Sequence, residues 1–463
     1  LVVALAPTAS ADDAEIGRDI FLVDISDTDH QLPLGIVGKL ADFAWSPDGN
    51  QIAYIAAEDR HDPNPGRLFV VSSKGGERSD LAAAYDGQVE DFHWLDNQRI
   101  AYLGSRGAWT EYRVTALQPN AITTDSQLSG PIVRSVDAWP GQSFAAAVAD
   151  TPEHPREVYL VQPEAEPRRL THSNPLLSTR RLTSQQVIQY RARDGLDLEA
   201  VIMQPLNHPS DPGSPSIIFV HGGPEGHYSN GWISSYDEPA QAMAAQGYLL
   251  AFPNYRGSTG RGVEFSKRNQ HDLAGAEFDD LVDLRQHLLA AGLSRSGQVG
   301  IAGMSYGGYA AMWAATALTE YFDAAVAFVG VSDVLSMFGS TDIPREMKEV
   351  HSLGWPWEDW QDLLQRSPVY HAGKSATPLL IMAGDSDERF DPSQSLEMYR
   401  HLKLRTETPV RLVMYPGEGH GLSHTAAQYD YALRFERWMN HYLLGPAGPP
   451  PAHPLNHAAR QGY

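Results

Sequence analysis

Apolar positions over the first 175 residues fall in short alternating runs, and the runs recur. Phe43-Ala44-Trp45-Ser46-Pro47-Asp48-Gly49 precedes the strand-like Gln51-Ile52-Ala53-Tyr54-Ile55. Phe92-His93-Trp94-Leu95-Asp96-Asn97 precedes Arg99-Ile100-Ala101-Tyr102-Leu103, and a weaker copy, Val136-Asp137-Ala138-Trp139-Pro140-Gly141, precedes Phe144-Ala145-Ala146-Ala147-Val148. The three tryptophans are spaced by 49 and 45 residues, and each unit continues into a second run at 67–71, 111–114 or 157–161. Short alternating strands repeating at that period predict a β-propeller with about four strands per blade. One blade cannot bury its own apolar face, so blades must stack. The tryptophans read as packing residues, not as a ligand site.

The chain start aligns with this repeat. Residues 1–6 followed by 19–23 parallel 52–57 followed by 67–71. The opening therefore reads as the third strand of a blade whose first half is absent. The competing reading takes the apolar run before Ala9-Ser10-Ala11 as the end of a signal peptide with an A-x-A cleavage site. The match continues past that site, which favours the blade. About three and a half blades are visible, against the four to eight that usually close a ring. The expectation is a truncated propeller, or an unusually small ring, over residues 1–175. Open strand edges make a homo-oligomer an expectation too.

After a linker at 176–186 the period changes. Runs at 187–190 and 198–203 flank Asp194-Gly195 and read as a hairpin. Apolar runs at 217–220, 248–252, 299–302, 324–328, 379–382 and 410–414 then alternate with helical stretches at 238–246, 277–291, 306–318 and 393–402. An amphipathic helix at 426–444 closes the series. Alternation of this kind predicts a mostly parallel sheet in an α/β domain spanning 187–445. The remainder, 446–463, is a Pro-rich tail expected to be disordered. No apolar run approaches the ~20 residues of a membrane helix.

Composition adds exclusions. The 463 residues carry 57 acidic and 35 basic side chains, a formal charge of −22, which argues against nucleic acid and anionic membranes as partners. There is no cysteine, hence no disulfide framework, thiolate metal site or thiol nucleophile. The compartment stays open between cytoplasmic and exported.

Chemistry gathers just past the predicted strands. Gly303-Met304-Ser305-Tyr306-Gly307 follows one strand and opens a helix, the setting of a nucleophile elbow that lifts a serine hydroxyl above a sheet. Such a serine needs a base and an acid, in the chain order Ser, Asp, His. Gly384-Asp385-Ser386-Asp387-Glu388-Arg389 follows the strand at 379–382, and Tyr415-Pro416-Gly417-Glu418-Gly419-His420-Gly421 follows the last strand. Among 18 histidines, His420 stands out by that glycine-flanked position. Asp387 and Asp385 compete for the acid role, and spacing does not separate them. His221-Gly222-Gly223-Pro224 follows the strand at 217–220 and offers an oxyanion donor, the Gly223 amide, to pair with that of Tyr306. Other motifs fail: Gly373-Lys374-Ser375 lacks the earlier glycine of a phosphate loop, and Gly257-Ser258-Thr259-Gly260-Arg261-Gly262 has the wrong glycine order for a dinucleotide fingerprint. No H-E-x-x-H zinc signature is present. No metal or redox cofactor is called for.

Taken together, a WSPDG-type propeller followed by HGGP, NYRGSTGRG, GMSYGGY, SPVYHAGK and YPGEGHG resembles the prolyl oligopeptidase family of serine peptidases, in its acylaminoacyl-peptidase and dipeptidyl-peptidase branches. The resemblance implies an α/β-hydrolase domain behind a propeller, with Ser305 as nucleophile and His420 as base. The family's D-x-R motif falls on Asp387-Glu388-Arg389, which implies Asp387 as the acid and Arg389 as a donor to a substrate carbonyl. Residues 331–343 resemble the segment lining the family's first specificity pocket, implicating Met337 and Phe338. Ala383 and Asp391 depart from the usual His and Pro, and about half of the family's seven or eight blades is missing. The implied activity is hydrolysis of short peptides through an acyl-enzyme, releasing acyl-aminoacyl, aminoacyl or dipeptidyl units. A carboxylesterase is the alternative.

Overall fold

A computed structural model describes residues 1–118, 122–127, 130–138, 142, 144–162, 165–206, 213–455 and 457, with backbone only at 28–30 and 122–127. Four small antiparallel sheets come first. Val2–Leu5, Asp19–Asp24 and Asp27–Pro33 form a three-stranded sheet. Leu40–Trp45, Gln51–Ala56, Arg67–Ser72 and Ser79–Asp80 form the second, and Gln88–Trp94, Arg99–Arg106, Trp109–Ala116 and Ile122–Gln127 the third. Ile132–Asp137, Ala145–Thr151, His154–Gln162 and Ala165–Arg169 form the fourth.

These sheets stack face to face, because alternate side chains of one strand point to opposite neighbours. Ile52 and Tyr54 pack with Ile20 and Leu40, whereas Ala53 and Ile55 pack with Val89, Phe92 and Trp94. Ala101 and Leu103 likewise turn toward Val133 and Ala147. Trp94 is buried in such an interface, and its indole donates to the Ala44 carbonyl at 3.3 Å. Trp139 lies outside the described residues.

One expectation needs correction. Gln51–Ala56, the counterpart of the opening strand, is the second strand of its sheet and not the third. The segment around Phe43 and Trp45 is itself the first strand of that sheet, pairing Phe43 with Tyr54. The first sheet therefore holds three strands of the four-strand pattern.

The second part of the chain forms one eight-stranded sheet. Its strands are β1 (Gln185–Arg191), β2 (Asp197–Met203), β3 (Ser214–Val220), β4 (Leu249–Asn254), β5 (Ser294–Met304), β6 (Ala324–Phe328), β7 (Leu379–Gly384) and β8 (Val410–Tyr415), in the order β1-β2-β4-β3-β5-β6-β7-β8. Only β2 runs against its neighbours on both sides, and all pairs from β4 onward are parallel. Ile218 and Val220 face a core shared with helices Ala276–Ala290, Tyr306–Ala314 and Ser393–Arg405. Ile217 and Phe219 face the opposite core, closed by helices Ala240–Ala245 and Thr425–Met439. Burial on both faces explains why these strands read as continuous apolar runs.

The tail up to residue 455 is irregular and makes contacts with the hydrolase domain. Arg411, Arg434 and Arg437 donate to the carbonyls of Pro451, His453 and Pro454 at 2.5, 3.2 and 2.9 Å. Backbone acceptors left free by proline-rich chain meet arginines of β8 and the closing helix. Among the described residues no helix is long and apolar enough to cross a membrane.

Candidate active site

β5 leads directly into helix Tyr306–Ala314, and Ser305 at the junction adopts φ 60°, ψ −119°. A non-glycine residue in this region costs roughly 1–3 kcal/mol, tolerated where the surroundings enforce it. Here the enforcement is close packing: a Cβ at Gly307 would run into the Val220 carbonyl at the end of β3. The Ser305 amide is also tied to the Phe328 carbonyl at 2.9 Å.

Loops after β7 and β8 meet this serine. His420 Nε2 lies 2.8 Å from Ser305 Oγ, and its Nδ1 lies 2.8 Å from Asp387 Oδ2. Asp387 is buried, and its Oδ1 accepts the amides of Arg389 and Phe390 at 2.9 and 3.0 Å. Those amides fix the carboxylate, while the Phe390 ring stands edge-on to His420 with centroids 5.2 Å apart. Asp385 is turned elsewhere, accepting the Gly417 amide at 2.7 Å and so closing the β7 loop on the β8 loop.

Gly223 has φ +119°, and a Cβ there would collide with the Glu225 amide. His221 beneath the loop is buried, stacks on Tyr255 at 4.3 Å, and faces the Ser258 hydroxyl with Nε2 at 2.8 Å. Burial pulls its pKa down to about 4, so it braces the loop as a neutral ring. Tyr306 is the first residue of its helix, where amides lack an intrahelical acceptor. Its hydroxyl donates to buried Glu277 at 2.8 Å.

Ser305, His420 and Gly223 open into a cavity of about 370 Å³. The N-terminal part of the chain contributes Glu15, Arg18, Lys39 and Pro63 to its wall, from a helix and the segments between strands, so both parts of the chain build it. Arg389 also lines it, its Nε 2.7 Å from Asp342 Oδ1 and its Nη2 3.9 Å from Glu15 Oε1. A smaller apolar pocket adjoins it. Val331, Val334, Met337, Tyr306 and Tyr309 line that pocket, and Gly223, Met347, His351 and Phe390 belong to both. Met337 thus reaches the site, whereas Phe338 is buried without lining either cavity.

Beside Ser305 sits a group the sequence reading did not find. Glu225, Glu346 and His351 bring ligating atoms within 4.8 Å of one another, an arrangement that could hold a metal ion. Lys39 Nζ already lies 2.7 Å from Glu225 and 2.8 Å from Glu346. Only the position of Glu225 just after HGGP hinted at this. Lys39, Glu346 and His351 carry no local signal.

A sheet of this order, with a serine elbow after β5 and Asp and His after β7 and β8, defines an α/β hydrolase preceded by propeller blades. Residues 234–445 match the prolyl oligopeptidase family. Over 429 residues the chain is 27% identical to the acylamino-acid-releasing enzyme of Rattus norvegicus, covering 89% of this chain and 50% of that protein. It is 24% identical over 447 residues to dipeptidyl-peptidase 5 of Porphyromonas gingivalis, covering 94% of this chain and 64% of the relative. The chain thus spans about half to two thirds of the length of these relatives. In fold it is similar to the Pyrococcus horikoshii acylaminoacyl peptidase, with a TM-score of 0.80 at 22% identity over 96% of this chain and 69% of that one.

Proposed function

We propose that this chain is a serine peptidase that hydrolyses short peptides through an acyl-enzyme, releasing acyl-aminoacyl, aminoacyl or dipeptidyl units from their N-termini. The observation that carries this reading is the continuous hydrogen-bonded line from Ser305 through His420 to Asp387, opening into a cavity walled by both parts of the chain. Ser305 Oγ attacks the scissile carbonyl while His420 Nε2 takes its proton and then passes it to the leaving amine. Asp387 holds Nδ1 protonated and steadies the imidazolium. The amides of Gly223 and Tyr306 receive the negative oxygen of the tetrahedral intermediate, helped by the N-terminal end of the helix. Water then enters, and the same histidine drives deacylation.

The apolar pocket beside Gly223 and Tyr306 suits the side chain preceding the scissile bond, with Met337 at its wall. Arg389, held by Asp342, suits a donor to the next substrate carbonyl. Walls drawn from the N-terminal part of the chain favour short peptides over folded chains. Relatives named as acylamino-acid-releasing enzymes and dipeptidyl peptidases support this class of substrate. The test compares aminoacyl and acyl-aminoacyl arylamides with simple aryl esters. Amide hydrolysis abolished by Ser305→Ala is expected; ester turnover with every amide inert would overturn the peptidase reading in favour of a carboxylesterase.

A further inference from the structure

Lys39 lies just before the strand Leu40–Trp45 and reaches from the N-terminal sheets into the hydrolase domain. Its ammonium bridges Glu225 and Glu346 at 2.7 and 2.8 Å. The buried imidazole of His351 completes the group, its Nε2 lying 3.2 Å from Glu346 Oε1 and 3.5 Å from Glu225 Oε1. Burial disfavours every charge here, yet the carboxylates outweigh it and raise both Lys39 and His351 above their ordinary values. Burial likewise pushes Glu346 up, but His351 and Lys39 together hold it well below the usual carboxylate range. The result is a closed quartet of two cations and two anions, each cation touching both anions. Removing one member of such a set leaves an uncompensated buried charge.

The position of the quartet gives it a meaning. Its four residues share a cavity with Ser305 and His420, and Glu225 lies two positions beyond Gly223. His351 also lines the apolar pocket, as do its neighbours in the wall, Met347 and Phe390. A substrate whose first side chain fills that pocket brings its amino-terminal nitrogen toward the same wall. Two carboxylates there would be a receptor for a free α-ammonium, but the protein's own ammonium already occupies both. An incoming ammonium would meet Lys39 and His351, and both carboxylates of the quartet are already ion-paired. An acylated nitrogen carries no charge and meets no such penalty.

We propose that Lys39 supplies from within the chain the ammonium that Glu225 and Glu346 would otherwise take from a substrate, making it the residue that selects blocked over free amino-termini. This rests on the peptidase reading and narrows it to N-acylated substrates. The same geometry explains why the three ligand-like groups need no metal: a cation is already bonded to two of them.

The test uses the full chain, in EDTA so that no divalent ion enters a vacated site. Paired p-nitroanilides of phenylalanine and N-acetylphenylalanine give the ratio of kcat/KM for free and acylated termini. Wild type is expected to prefer the acetylated substrate. Lys39→Met is expected to move the ratio toward the free amine by at least about tenfold, mainly through KM, while Lys39→Arg keeps the wild-type order. Glu225→Gln leaves the two cations in excess and should move the ratio the other way, which keeps the idea testable if Lys39→Met does not fold. Wild-type preference for the free amine, or a ratio unmoved in folded Lys39→Met, overturns the proposal. Should the enzyme cleave aryl esters but no arylamide, the peptidase reading fails alone. Inhibition of that ester turnover by phenylalaninamide and its N-acetyl form then decides the role of Lys39 by the same ratio.

Discussion

The Tyr306 hydroxyl donates to Glu277 Oε1 at 2.8 Å, and both residues are buried directly behind the serine elbow. The other oxygen, Oε2, is buried with no hydrogen-bond partner among the described residues, a setting that a neutral acid tolerates far better than a carboxylate. Burial pushes the Glu277 carboxyl up to about 8, and Glu238, accepting from Tyr228, is likewise pushed to about 8 by its own burial.

Those two acids make stability pH-dependent. In the unfolded chain each releases its proton near 4.5, whereas in the native protein each keeps it to about 8. Between those values the unfolded state binds fewer protons, so stability falls as pH rises. Below about pH 6.5 buried His221 and His227, both lowered to about 4, act in the opposite sense, so thermal unfolding should show Tm decreasing from about pH 6.5 to about pH 8. Glu277→Gln with Glu238→Gln, which keeps amide acceptors without titration, should flatten that slope; an equal slope in the double variant contradicts the assignment.

Substitutions in the hydrogen-bonded line should remove activity without removing the fold. Asp387→Asn is expected to lower kcat by about 10⁴, because the imidazole loses its tautomer. Ser305→Ala should cost about 10⁶. Both should unfold at the wild-type midpoint. Asp385→Asn serves as the contrast, since Asp385 ties the β8 loop and does not touch His420.

Arg389 is held in place by its ion pair to Asp342, with Glu15 more distant at 3.9 Å. Loss of a charge-assisted hydrogen bond to a substrate carbonyl is worth about 1.5–3 kcal/mol, or roughly 10- to 100-fold. Arg389→Ala should show that loss as a rise in KM, with kcat changed less. An unaltered KM removes Arg389 from the binding site.

The helix Ala11–Ile16 is fastened to the hydrolase domain by Asp12, which accepts the amides of Arg345 and Glu346 at 2.9 and 2.8 Å. Asp12→Ala should destabilise the protein by about 1–2 kcal/mol, as loss of a capping acceptor does. Because Glu346 lies in the quartet, the variant should also alter KM. Denaturant unfolding alongside steady-state kinetics measures both, and stability unchanged from wild type would mean the contact is not formed in solution.

What the sequence determined by itself is local and periodic. Alternation every second residue marked the blades, and continuous apolar runs marked strands buried on both faces. Glycines around Ser305 marked the elbow, since the crowding against Val220 leaves no alternative residue. The offset of one strand lay in placing the opening run as a third strand, when its counterpart Gln51–Ala56 follows Leu40–Trp45 as the second. Motif spacing left Asp385 and Asp387 equal, and only the closure of the β7 loop on the β8 loop turned one toward Gly417 and the other toward His420. Met337 and Phe338 are adjacent and both apolar; the path of a short helix sends one to the pocket and one to the core. The Lys39 quartet was invisible for a different reason. Lys39 and Glu225 are 186 residues apart, and nothing in either neighbourhood requires the other. Periodicity reports what a segment does to its own backbone, whereas a charge buried between two domains exists only once docking has removed the water that would otherwise solvate it.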